Sequence, residues 1–167
     1  MADLKLAYGT ATDLTITLAS MASDTNLLTG GESATIDNSA NLFLDYLVSG
    51  KITAGTSPTA AKSIEVWAIG SWDGTNWPDV FDGGTDSAET ITSADIKASV
   101  CRFVAAMATA NTSDRSYHFG PVSLAAAFQG PLPPKVVLFI THSTGVALNA
   151  TAGNHQIRLQ PVYQTIN

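Results

Sequence analysis

Charge is what this sequence has least of. Only 13% of its 167 residues are Asp, Glu, Lys or Arg, about half the proportion of an ordinary soluble chain. The eight basic residues stand singly, at Lys5, Lys51, Lys62, Lys97, Arg102, Arg115, Lys135 and Arg158, in a chain of net charge −6. Without a basic patch, phosphate-backbone binding and attraction to anionic membranes lack their main driving force. A single cysteine, Cys101, excludes an internal disulfide. No base lies near it in sequence, so it reads as a structural thiol in a strand. Glutamate occurs only as Glu32, Glu65 and Glu89. Glu65 and Asp45 could face one another on neighbouring strands as a glycosidase needs, but so could any two polar strand residues. No apolar run reaches the ~18 residues of a membrane span. The opening Met1-Ala2-Asp3-Leu4-Lys5 lacks the basic and apolar succession of a secretory leader, so synthesis in the cytoplasm is expected.

What fills the place of charge is Thr, Ser and Ala, with hydrophobic residues at 45%. Small hydroxyl side chains lose little entropy on burial, which suits surfaces that make permanent contacts. The length fits one domain, residues 1–167, large enough to bury a core without staples.

Strand signals dominate. Residues 13–18 alternate, with Leu14, Ile16 and Leu18 on one face. Residues 41–52, 63–70 and 155–163 alternate as well, while 101–108 and 135–142 are apolar runs of strand length, expected to be buried on both sides. Pro161 predicts an edge strand or a strand end. Residues 93–99 read as a short helix capped by Ser93, and 122–128 as a second one. Gly55 and Pro58 mark residues 53–62 as a long hairpin loop, and 71–84 is a second substantial loop. Residues 21–31 read as a connection and 111–115 as a polar turn. The sum is an all-β antiparallel sandwich, jelly-roll-like, with one or two short helices in its connections.

Candidate chemistry is thin. Asp73, Asp79, Asp82 and Asp86 share one irregular stretch. Their spacing departs from dedicated calcium loops, and the Asp-Gly pairs suit turns better. His142 ends one strand and His155 begins the next, so a hairpin would bring them together. A zinc site would then need a third ligand, His118 or Asp114. Ser, His and Asp are all present, but no Gly-x-Ser-x-Gly elbow occurs. The expectation is no enzyme, no cofactor and no metal. The aromatic residues carry more. Trp67, Trp72 and Trp77 cluster around a strand end, beside Asp73, Asn76 and Asp79. Exposed tryptophans among Asp and Asn suit stacking on sugars, contact with a protein, or packing beneath a loop. Residues 1–12 hold Leu4, Leu6 and Tyr8 without a nearby turn partner. They predict either an arm laid on a partner or an edge strand of their own sheet.

Several short motifs carry a likeness. Gly50-Lys51-Ile52 leads into Gly55-Thr56-Ser57-Pro58-Thr59, then Ile64-Glu65-Val66-Trp67, Ser71-Trp72-Asp73-Gly74 and Trp77-Pro78-Asp79, with Phe119-Gly120-Pro121 and Pro161-Val162-Tyr163 later. Together these resemble small structural proteins of tailed bacteriophages. The resemblance implies a virion component: a capsid decoration or cement protein, contacting the major capsid protein or other virion proteins, and a homo-oligomer with a trimer favoured. A tail, neck or appendage part with a carbohydrate-binding sandwich is the alternative. No site residue carries over from it, and neither nucleic acid nor membrane is an expected partner.

Overall fold

The computed structural model describes residues 3–84 and 86–166. Among these described residues eleven strands form two antiparallel sheets. The first sheet runs β1 (Leu4–Tyr8), β11 (Gln156–Ile166), β5 (Asp45–Thr53), β9 (Ser116–Ser123), with β2 (Thr12–Asp13) also pairing β11. The second runs β7 (Ser87–Thr90), β3 (Thr29–Glu32), β10 (Lys135–His142), β6 (Ser63–Ser71), β8 (Arg102–Ala108), with β4 (Ile36–Asp37) also pairing β10. Setting aside the short β2, β4 and β7 leaves eight principal strands. Counted in chain order, they lie 1-8-3-6 in one sheet and 2-7-4-5 in the other. This is the jelly-roll order, and the sequence-level fold class holds.

The core explains the order. Tyr46, Val48, Ile52, Ile157 and Leu159 from the first sheet meet Ile64, Val66, Val136, Leu138 and Ile140 from the second. The second sheet is buried on its outer face too. There Ile69, Val137 and Phe139 pack with Phe81, Ile91 and Cys101, beneath the connection that carries α1 (Ala94–Val100). That is why β10 reads as a continuous apolar run: its neighbours cover both faces. Ser93 caps α1, accepting from Ile96 N at 3.2 Å. The second helical stretch is a single turn, α2 (Leu124–Ala127), because residues 122–123 belong to β9.

Several expectations are corrected. Residues 53–62 are no hairpin loop: they join β5 in one sheet to β6 in the other. Residues 14–18 form no ladder strand. Leu14 N donates to Ile157 O of the first sheet, and Thr15 O accepts from Ala34 N beside the second. The segment bridges both sheets, so no one ladder can take it, and Leu18 is buried between them. Residues 29–32, which begin inside the stretch 21–31 read as a connection, are a paired strand. Their Thr-Gly-Gly-Glu sequence has no apolar alternation, and a Cβ on Gly30 would stand 2.2 Å from Ile140 O. Pro161 lies inside β11, an internal strand. It is tolerated because its nitrogen falls between the ends of β1 and β2. Gly9 N donates to Pro161 O at 2.8 Å, and the bond Pro161 cannot return to Gly9 O is supplied by Gln160 Nε2 at 3.2 Å.

Candidate functional site

Of the six residues singled out around the tryptophans, four come together. Trp72, Asp73, Asn76 and Trp77 line an open cavity of about 530 Å³, where β6 runs out into its long connection. Ser99, Val100 and Arg102 complete its wall. Arg102 donates from Nη1 to Ser99 O at 3.2 Å. Trp72 is 62% exposed, with its edge set against Phe128 at 6.1 Å between centroids. Trp77 packs instead on the outer core cluster. Gly83 holds it there: with φ +63, a Cβ at that position would stand 2.2 Å from the indole.

The polar groups of this cavity face inward on themselves. Asp73 accepts from Thr75 N at 2.8 Å, Asn76 N at 2.7 Å and Asn76 Nδ2. The Asn76 side chain and these two backbone donors hold its carboxyl well below the usual carboxylate range. Asp73 is a turn former whose charge is already satisfied.

Trp67 and Asp79 do not line the cavity. Trp67 belongs to a buried network on the outer face of β6. Its Nε1 donates to Glu65 Oε2 at 2.9 Å, and Lys97 Nζ reaches the same oxygen at 3.0 Å while lying 4.7 Å from the indole centroid. Lys97 Nζ also donates to Leu27 O at 2.6 Å. Asp79 accepts from Thr92 N and Thr92 Oγ1, which lower its pKa.

The other candidate groups are likewise engaged one by one. Asp82 accepts from Gly84 N, and Asp86 from Thr17. The hairpin that would bring His142 to His155 does not exist, because β10 and β11 lie in different sheets. His142 is fully buried, with Nε2 donating to Met21 O at 3.1 Å. His155 donates from Nε2 to Asn149 O at 2.8 Å. Burial lowers both pKa values. Asp114 accepts from Asn149 Nδ2, and His118 stands opposite Lys51 on β9. Among the described residues no three of His, Cys, Asp and Glu gather as metal ligands. Asp45 and Glu65 sit in different sheets; Asp45 accepts from Ala125 N. The Cys101 thiol is pushed up to about 12 by burial, so it is not a nucleophile at neutral pH.

A second surface is apolar. Residues 4–8 form an edge strand of their own sheet, pairing with Val162–Ile166 of β11. The ladder sets Leu4 opposite Ile166, Leu6 opposite Gln164 and Tyr8 opposite Val162. These side chains point away from the core, since Leu159 and Pro161 alternate inward with Val48 and Tyr46. Leu4, Leu6, Tyr8 and Ile166 are 61%, 56%, 58% and 71% exposed. Val162 beneath them is buried yet belongs to neither core cluster. Compared with protein-family models, curated proteins and solved structures, the chain matches none.

Proposed function

We propose that this protein is a non-enzymatic structural component of a virion, a capsid decoration or cement protein that bridges major capsid subunits. The observation that supports it best is the apolar stripe Leu4, Leu6, Tyr8 and Ile166 on the rim of a sparsely charged jelly roll. Clustered apolar exposure on one strand pair marks a contact surface. Viral capsid domains use this fold, as do lectins and enzymes, so the fold argument is analogy. Stabilisation would come from area repeated over a shell, with interfaces on the order of 1,600 Å² each. Quantitative mass spectrometry of purified particles tests it. Copy number near that of the major capsid protein supports cement; a handful of copies per particle points to tail or neck, and absence ends the reading.

The cavity at Trp72 favours a second reading, glycan binding in a tail or surface appendage. An exposed indole beside Arg102 suits stacking on a sugar with a hydrogen bond to its hydroxyls. Glycan-array binding that disappears in Trp72→Ala would establish it.

A further inference from the structure

The outer side of β1 carries a second kind of information, independent of the virion reading. Gly9 N bonds Pro161 O, which fixes the phase of the ladder. Residues 5, 7 and 9 turn their backbone groups toward β11. Leu4, Leu6 and Tyr8 therefore turn theirs outward. Among the described residues no strand pairs with that side. The other sheet edges are blunted by known devices. β9 contains Pro121, β8 is displaced by a bulge opposite Val66 and Trp67, and β7 has four residues. β1 has neither proline nor bulge.

We infer that β1 pairs with β1 of a second copy of this chain, antiparallel about a two-fold axis at Leu6. The phase allows only registers that pair the even-numbered residues with one another, and the two-fold at Leu6 is the one that pairs Leu4, Leu6 and Tyr8 entirely among themselves. Leu6 meets Leu6 and Leu4 meets Tyr8, and every residue so paired is one whose N–H and C=O face outward. Each pair exchanges two hydrogen bonds. The charges agree with this register. Lys5 stands opposite Ala7 and Asp3 opposite Gly9, so no like charges are directly opposed. A shift centred on Lys5 keeps the phase but opposes two lysines and no longer pairs Leu4 with Tyr8. The first sheets of both copies join into one sheet, and the apolar stripe of each runs on into the other. Such a contact is isologous and closes on itself, in contrast to the threefold association that the phage resemblance implies.

Cysteine placement tests it, because Cys101 is buried and silent. At the two-fold, Leu6→Cys brings two Cα atoms to about 5.5 Å, within disulfide range. Leu4→Cys leaves its symmetry mate about 14 Å along the strand. The expected result is a native mass of two chains for the unmodified protein, with an oxidised covalent dimer from Leu6→Cys and none from Leu4→Cys. Leu6→Lys sets two ammonium groups face to face and is expected to raise the dimer Kd on the order of tenfold or more. Its side chain is solvent-exposed, so its melting temperature as a monomer reports whether the fold survives. A monomer or trimer at tens of micromolar, or cross-linking that is equal at both positions or absent from both, overturns the two-fold pairing.

Discussion

Glu32 is fully buried in β3. Its Oε1 accepts from Gly83 N at 3.0 Å, while Oε2 has no partner among the described residues. Burial pushes its carboxyl from 4.5 up to about 7, with Asp82 and Glu89 adding to the rise. Between those values the folded protein holds a proton that the unfolded chain releases. Stability from this group is therefore present below about pH 4.5 and lost as pH rises through 7. The shift sets an upper bound of roughly 3 kcal/mol. His142 and His155 act in the opposite sense, since their lowered pKa values make stability rise with pH up to about 6.5. Comparison with Glu32→Gln isolates the carboxyl. The stability of the variant relative to the natural protein is expected to climb by about 2–3 kcal/mol between pH 5 and 8. A flat difference in urea titrations would mean that Glu32 keeps an ordinary pKa. The same scale holds Lys97, which has Glu65 and Leu27 O as partners and is almost wholly buried. Lys97→Ala is expected to cost about 3 kcal/mol, because it strands the carboxylate. The double variant Lys97→Met with Glu65→Gln should recover much of that loss. If the double variant is no better than the single one in urea unfolding, stranded charge is not the cause.

At the scale of elements, β1 holds the end of β11. Val162 is the last residue of β11 that pairs with β5; Tyr163–Ile166 pair only with β1. Deleting residues 1–11 should lower the melting temperature by several degrees, about what 1 kcal/mol does in a domain of this size, and leave a folded jelly roll. An unchanged melting temperature would show that β1 contributes nothing to its own sheet. Elements whose surroundings are uniform were legible in the sequence. β10 is apolar because both faces are covered, β6 alternates, and Ser93 announces α1. Those whose partners change along their length were not. Residues 14–18 carry a strand's alternation, but the chain there crosses from one sheet to the other. β3 lacks any pattern because it is two glycines between Thr29 and Glu32, and Gly30 serves close backbone approach to Ile140. The cavity was half legible for the same reason. Trp72, Asp73, Asn76 and Trp77 lie close in sequence, whereas Ser99 and Arg102 arrive through the fold around α1. Trp67, two residues into the outward face from Glu65, turned toward Lys97 instead.

At the scale of the whole molecule, the scarcity of charge and the placement of the apolar stripe make one joint prediction. Each copy carries net charge −6, so two copies repel weakly at long range, and salt screens that repulsion within about 10 Å at 0.1 M. Among the described residues the contact at β1 contains only Lys5 and Asp3 as charged groups, and its apolar pairs do not depend on screening. Association should therefore hold or tighten slightly as NaCl rises from 0.05 to 0.5 M, with a change in Kd of less than about threefold, under 1 kcal/mol. The same reasoning applies to docking on a capsid, if the stripe is the docking surface. A partner gripped through Lys and Arg behaves in the opposite way, losing affinity steeply as counterions return. Sedimentation equilibrium of the full chain across that salt range reads the first, and co-sedimentation with particles the second. Steep weakening in either would place the contact on the scattered basic residues and away from Leu4, Leu6, Tyr8 and Ile166.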